Sequence, residues 1–140
     1  MLLFFYGVLL DSVAEGAVRD LLHGLGTGQA ATVQGLLYAV PDRRGFYPVL
    51  VEGEGVVRGM VHQAGAFDLA ALDRFEGVVP HDPHAGEYRR ESVVAELAAG
   101  GKVAADAYLY NRVVGADLIP IPHGDFARWL RENEARAFSG

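Results

Sequence analysis

The sequence contains no cysteine among its 140 residues. Disulfide bonds and thiol chemistry are therefore excluded. A chain without disulfides is compatible with the reducing environment of the cytosol, so we expect a cytoplasmic protein.

Basic residues are scarce as well, because 12 lysines and arginines face 18 acidic residues and the formal net charge is -6. A surface that binds nucleic acid needs an excess of positive charge, so a general nucleic-acid partner is not expected. Hydrophobic residues make up 51% of the chain, yet every apolar run is too short to span a bilayer. No basic segment precedes an apolar one at the N-terminus, so we expect neither a signal peptide nor a membrane partner. The oligomeric state stays open.

The length is typical of one domain that buries a substantial core, so we predict a single domain over residues 1–140. The 18 glycines are scattered without a period, which argues against a repeat protein.

The first dozen residues predict a strand, a glycine turn and a helix start. Residues 2–5 are an uninterrupted apolar run, typical of a strand buried on both faces. Tyr6 and Gly7 end that run, and Ser12 and Glu15 have the spacing of a capping box, which places a helix start at Val13. Such a turn exposes free N–H groups that suit an anion or a polarised carbonyl. An ordinary strand-to-helix connection explains the same pattern.

The rest of the chain alternates between strand and helix patterns. Hydrophobic spacing predicts helices over residues 13–22, 67–75 and 124–138, and Asp68 is the expected cap of the second. Strands are predicted over residues 29–40, 47–51, 56–62, 88–97 and 102–110, with a turn at 52–55 and coil over 111–122. This order indicates a compact α+β domain with its sheet curled into a barrel.

Glu76 stands out because it ends the helix predicted over residues 67–75 and directly precedes Gly77. The partial negative charge of a helix C-terminus disfavours a carboxylate, and Phe75 and Val78 make the surroundings apolar. Both effects raise the pKa of a carboxyl group, as general acid–base catalysis near neutral pH requires. The alternative is a solvated glutamate at a frayed helix end.

Three segments together resemble the γ-glutamylcyclotransferase-like family, in that family's order and over residues 4 to about 129: Phe5-Tyr6-Gly7-Val8-Leu9, Leu72-Asp73-Arg74-Phe75-Glu76-Gly77 and Tyr88-Arg89-Arg90. The resemblance implies an α+β fold, in which a mixed sheet of six or seven strands curls into a barrel-like shape with two or three helices. It also implies an enzyme of the γ-glutamylamine cyclotransferase type. Such an enzyme releases 5-oxoproline and a free amine from a small γ-glutamyl amine or peptide, and it requires no cofactor.

The resemblance assigns roles to single residues. Tyr6, Gly7, Val8 and Leu9 become the loop that holds the γ-glutamyl group through backbone amides, and Glu76 becomes the acid–base catalyst. Val8 departs from the family pattern, which has serine or threonine at this position, so any contribution from a hydroxyl group is lost.

Other polar residues have two interpretations each. Tyr88 and Tyr108 either line the substrate pocket or form ordinary cross-strand aromatic contacts. His81 and His84 lack further ligands at a recognisable spacing, so a polar loop is favoured over a metal site. Trp129 and Phe126 have helical spacing and are expected in the core.

The main alternative to an enzyme is a module of the same fold that binds a small ligand or a protein without turnover. Val8 favours the binding module, because the family's hydroxyl is missing there. Glu76 favours the enzyme, because a module that only binds gains little from a carboxylate beside helix-end carbonyls.

Overall fold

The computed structural model describes residues 1–7, 16–65 and 67–138. Within these residues the strands are β1 (Leu2–Phe5), β2 (Gly28–Val40), β3 (Tyr47–Gln63), β4 (Tyr88–Leu97), β5 (Lys102–Tyr110) and β6 (Ile119–Pro120). The helices are α1 (Gly16–Leu21), α2 (Leu69–Phe75) and α3 (Phe126–Glu132).

The strands of the described residues form a closed barrel. Five of them pair in the order β3-β1-β5-β4-β2, and pairing between β2 and β3 closes the ring, while β6 adds to β2 outside it. The sheet is mixed, because β1 runs parallel to β5 and the other pairs are antiparallel. The predicted fold class, an α+β domain with a barrel-like sheet, is confirmed.

The N-terminal strand β1 lies between β3 and β5. Leu3, Phe4 and Phe5 are at most 1% exposed, so the side chains on both faces of the strand are buried. An uninterrupted apolar run is stable there because no face of the strand meets water. The predicted bounds of β1 agree with the structure.

The turn predicted at residues 52–55 is wrong, because β3 continues through it as one strand of 17 residues. Gln34 on β2 pairs with Val56 and Leu36 pairs with Val51, so the register shifts at this point. The Glu-Gly-Glu-Gly segment therefore forms an irregularity within the ladder, and the two strands resume their pairing beyond it.

The last helix is also shorter than the prediction of residues 124–138. It begins after its cap Asp125 and ends at Glu132, and Glu134 adopts a positive φ of 51°. The chain then leaves the helix axis, and the Phe46 N–H donates to the Arg136 carbonyl at 2.8 Å while Ala137 forms a bridge with Phe46. Backbone pairing with a distant segment thus replaces further helical turns.

Smaller differences concern the other elements. Residues predicted as coil contain the short strand β6. The Asp68 side chain caps α2 as predicted, accepting from the Ala71 N–H at 3.0 Å, although the helix begins at Leu69. The predicted capping box at Ser12 and the helix start at Val13 lie outside the described residues.

The core fills the barrel and extends beneath α3. Phe126 and Trp129 are buried as predicted, and Trp129 makes an edge contact with Phe46 at 5.1 Å between ring centroids. In the described part of the chain, no helix has the length and apolar character needed to cross a membrane.

Candidate active site

A cavity of about 170 Å³ opens at one end of the barrel. Its walls come from β1, from the start of β3, from the end of α2, from β4 and β5, and from the residues before and after these elements. The lining residues are Phe4, Phe5, Tyr6, Gly7, Asp42, Arg44, Tyr47, Pro48, Phe75, Glu76, Glu87, Tyr88, Tyr108 and Phe138.

The end of β1 forms one wall of this cavity through Tyr6 and Gly7. Both residues are buried, and a Cβ atom on Gly7 would lie 2.0 Å from Cγ of Pro48. Only glycine lets the chain pass so close to Pro48 at this point. Val8 and Leu9, the other two residues predicted for the substrate loop, lie outside the described residues.

Glu76 reaches the same cavity from the C-terminal end of α2. Its backbone N–H donates to the Leu72 carbonyl at 3.0 Å, which holds the residue as the helix cap. Its carboxyl group has no hydrogen-bond partner among the described residues. The end of helix α2 therefore places at the cavity a carboxyl group that no described residue engages.

Burial, together with the negative charges of Glu87 and Asp73, raises the pKa of Glu76 from 4.5 to about 8. The direction agrees with the expectation from the sequence. The cause of the raised pKa differs in part from the expectation, because the charges of two neighbouring carboxylates act in place of the expected helix-end charge. The residue as a whole is partly exposed, so the carboxyl group is largely desolvated yet accessible from the cavity.

Glu87 is the second glutamate of the cavity, and sequence reasoning missed it. It directly precedes β4, and the Tyr47 hydroxyl donates to its Oε2 at 2.9 Å. The sequence shows only a glutamate at the end of a proline-containing loop, a position that normally faces solvent. Its place beside Tyr88 was the one available signal, because the strand that follows carries a predicted site residue.

Four tyrosines line the cavity. Besides Tyr47, which donates to Glu87, the hydroxyl groups of the other three each donate to a protein acceptor. Tyr6 donates to the Tyr108 carbonyl, Tyr88 to the Pro48 carbonyl at 3.0 Å, and Tyr108 to Asp73 at 2.7 Å. Burial raises the pKa of all three phenols above its ordinary value, so they remain neutral. Tyr88 also contacts Tyr110 across the strands, so it is both a lining residue of the cavity and part of a cross-strand aromatic pair.

Asp73 and Arg90 connect α2 to the barrel. The Arg90 guanidinium contacts both carboxylate oxygens of Asp73, at 3.0 and 3.3 Å, and also donates to Asp106 on β5. A bidentate pair of this kind restricts orientation as well as distance. Because Glu76 follows Asp73 by three residues, this cluster sets the position of the catalytic candidate.

The mouth of the cavity carries Asp42, Arg44 and Phe138. The Arg44 guanidinium lies 4.6 Å from the centre of the Phe138 ring, and its Nε lies 3.5 Å from Asp42. None of these three residues was predicted from the sequence, since they meet only through the tertiary fold.

The cavity therefore combines a carboxyl group whose pKa is raised to about 8 with a second glutamate and with neutral phenols. Across residues 1–7, 16–65 and 67–138, no group of three or more potential metal ligands is arranged to hold an ion. His81 and His84 are exposed in the loop before β4 and do not line the cavity.

Comparison with known proteins adds independent information. The family model described as gamma-glutamyl cyclotransferase, AIG2-like, matches residues 3–129. No curated protein matches the chain significantly.

Several solved structures share the fold. The ytfP protein of Escherichia coli is 26% identical, with a TM-score of 0.61 over 95% of this chain and 99% of its own. An AIG2-like protein from Mus musculus is 18% identical, with a TM-score of 0.64 over 89% of this chain and 86% of its own. A gamma-glutamyl cyclotransferase is 20% identical, with a TM-score of 0.62 over 87% of this chain and 72% of its own.

Proposed function

The chain belongs to the gamma-glutamyl cyclotransferase, AIG2-like family, and on this premise we propose that it converts a γ-glutamyl amine or peptide into 5-oxoproline and a free amine. Glu76 is the general acid–base residue of this proposal. Tyr6, Gly7, Val8 and Leu9 hold the γ-glutamyl group, and Tyr88 and Tyr108 wall its pocket.

The observation that carries the proposal is the unpaired Glu76 carboxyl group with a pKa of about 8 in the cavity. The α-amino group of a peptide has a pKa of about 8, and an α-ammonium beside its own carboxylate, as in a γ-glutamyl compound, titrates somewhat higher. Proton transfer to Glu76 is therefore only modestly uphill, whereas a carboxyl group at its ordinary pKa would face a cost of roughly 5 kcal/mol or more. A base matched to its substrate in this way is efficient in both directions.

The reaction needs little else from the protein, because the nucleophile belongs to the substrate. Glu76 removes a proton from the α-ammonium, and the free amine attacks the γ-carbonyl carbon to form a five-membered ring. The bond from that carbon to the departing nitrogen then breaks as Glu76 returns the proton to it. A second proton passes from the ring nitrogen to the departing amine, which leaves as an ammonium ion, and Glu76 regains its starting state.

Tethering accounts for much of the rate. A well-oriented intramolecular nucleophile is equivalent to roughly 10⁵ M or more of an external one. Phe4, Phe5 and Phe75 line the cavity, and in this proposal their side chains keep the substrate in the folded shape that ring closure requires. The remaining need is stabilisation of the oxyanion, which the backbone amides of the loop at residues 6–9 supply in this proposal.

The test is an assay of 5-oxoproline release from a panel of γ-glutamyl compounds. The panel includes γ-glutamyl alkylamines, γ-glutamyl-ε-lysine, γ-glutamyl amino acids and glutathione, because the leaving group is open. We expect at least one compound to be turned over by the native protein and not by Glu76→Gln. Binding of a compound without any release of 5-oxoproline would instead favour the binding module.

A further inference from the structure

The two glutamates of the cavity are brought together by two glycines. Gly77 follows Glu76 and Gly86 precedes Glu87. A Cβ atom on Gly86 would lie 1.9 Å from the carbonyl oxygen of Gly77, and Gly77 has a positive φ of 71°. The backbones therefore touch at the base of the loop formed by residues 78–85. This contact places Glu76 and Glu87 side by side, although ten residues lie between them along the chain.

The carboxylates near Glu76 differ in how their charge is balanced. Asp73 is paired with Arg90 at 3.0 Å. Glu87 accepts one hydrogen bond from the neutral Tyr47 hydroxyl, and no cationic side chain of the described residues lies within ion-pair distance of it. The positive charge at the mouth, Arg44, is already engaged with Asp42 and Phe138. Glu87 thus leaves an uncompensated negative charge in the cavity, which attracts a cation.

We propose that Glu87 binds the α-ammonium group of the substrate beside Glu76, and so selects γ-glutamyl compounds whose α-amine is free. This inference rests on the proposed function and adds a second carboxylate to it. Glu76 exchanges the proton, whereas Glu87 holds the ammonium within reach of Glu76. Tyr47 donates to one Glu87 oxygen and leaves the other for the ligand. The negative charge of Glu87, which raises the pKa of Glu76, is consistent with this division.

The experiment compares two probes that differ only at the α-carbon. L-γ-Glutamylmethylamide carries the α-ammonium, and glutaric acid mono-N-methylamide has the same carboxylate and amide without it. Binding is measured by calorimetry in the Glu76→Gln background, where turnover is removed. We expect the amine-bearing probe to bind more tightly, and addition of Glu87→Gln to weaken it by about 10- to 100-fold. The affinity for the probe without an amine should not change.

Two further variants serve as controls. Glu96→Gln removes a charge from the exposed side of β4, away from the cavity, and should leave both affinities unchanged. Glu87→Asp keeps the negative charge but shortens the side chain by one methylene group, which moves the carboxylate away from the ligand. The preference for the amine-bearing probe should therefore persist in weaker form. If Glu87→Gln does not fold, a weakened preference in Glu87→Asp supports the inference, and a preference as strong as in the Glu76→Gln protein overturns it.

The outcomes separate the inference from the function on which it rests. If the native protein releases 5-oxoproline and the double variant still prefers the amine-bearing probe as strongly as the Glu76→Gln protein, Glu87 does not bind the ammonium and only the inference is lost. If the native protein neither binds nor turns over any γ-glutamyl compound, the proposed function fails first.

Discussion

At the scale of single residues, Glu76 combines three properties required of an acid–base catalyst. It lines the cavity, its carboxyl group has no hydrogen-bond partner among the described residues, and burial brings its pKa to about 8. The pKa is raised because both neighbouring charges, Glu87 and Asp73, are negative and because little water reaches the group. These properties carry two predictions.

Glu76→Gln should lose activity and gain stability. An amide keeps the shape but cannot exchange the proton, so turnover should fall by roughly 10² to 10⁴. Because the pKa of Glu76 is about 8 in the folded state against an ordinary 4.5, the charged form costs stability increasingly as the pH rises between these values. The variant should therefore be more stable by a few kcal/mol at pH 8 and equally stable at pH 4. Assays of 5-oxoproline and denaturant melts at both pH values measure this. Equal activity would remove Glu76 from the mechanism.

The pH profile of the native protein should follow the same group. A productive encounter needs one proton shared between Glu76, with its pKa of about 8, and the substrate amine, which titrates somewhat above a peptide α-amino group. We expect kcat/KM to be bell-shaped with its maximum between these two pKa values, and to be about 30-fold lower at pH 6. Steady-state rates between pH 5 and 10 test this. An acid limb with its midpoint at the ordinary pKa of glutamate would contradict the assignment.

At the scale of elements, α2 and the loop after it hold both glutamates of the cavity in place. Asp73 on α2 is clamped by Arg90 of β4, and the Tyr108 hydroxyl of β5 donates to the same carboxylate. Helix α2 has only seven residues, so contacts to the barrel determine its orientation. The position of Glu76 consequently depends on residues that do not touch the substrate.

Arg90→Leu should reduce both stability and activity. The substitution leaves Asp73 and Asp106 without their partly buried partner, which should lower the free energy of unfolding by about 2 kcal/mol. It also loosens α2, so kcat should fall more than KM changes. Denaturant melts and steady-state kinetics measure the two effects, with the exposed Arg58→Leu as the control. An unchanged kcat would show that Asp73 and Arg90 do not position Glu76.

Gly86→Ala tests the contact at the base of the loop. The added methyl group would meet the Gly77 carbonyl at 1.9 Å, so the loop ends must separate. We expect a loss of roughly 1–3 kcal/mol in stability together with a lower kcat/KM, because the two glutamates move apart. The exposed neighbour substitution Ala85→Ser keeps the contact and should behave as the native protein. Native kinetics in the Gly86→Ala protein would mean that the glycine contact has no part in the site.

At the scale of the whole molecule, the cavity joins residues from almost the full length of the described chain, from Phe4 to Phe138. The segment after α3 returns to the mouth of the cavity because Phe46 forms two backbone hydrogen bonds with it. The Phe46 N–H donates to the Arg136 carbonyl at 2.8 Å, and the Phe46 carbonyl accepts from the Phe138 N–H at 2.7 Å. Phe138 then packs against Tyr47 and Phe75. Phe138, at the end of the described chain, thus lines the same cavity as Phe4, near its start.

Phe138→Ala should open the mouth without affecting the chemistry. The variant loses the aromatic contacts to Tyr47 and Phe75 and the cation–π contact with Arg44. We expect KM to rise about 3- to 10-fold with little change in kcat, and the stability to fall by about 1–2 kcal/mol. The control is Val113→Ala, whose side chain is 93% exposed. A large fall in kcat at unchanged KM would instead place Phe138 in the chemical step.

The sequence alone determined the elements whose signals are local. The apolar run of β1, the alternation in β4 and β5 and the Asp68 cap of α2 all act through neighbours a few residues apart, and their predicted positions agree with the structure. The direction of the Glu76 pKa shift was also predicted, because its apolar neighbours indicate burial, although the contribution of Glu87 follows only from the tertiary structure.

Only the tertiary structure decided the continuity of β3, the early end of α3 and the place of Glu87 in the cavity. Each depends on a partner distant in sequence: the β2 ladder, the bridge to Phe46, and the contact of Gly86 with Gly77. Burial and charge act through space, so a glutamate at the end of a polar loop carries no local sign that it will face another carboxylate. The second glutamate of the cavity is therefore a property of the closed barrel and its loops.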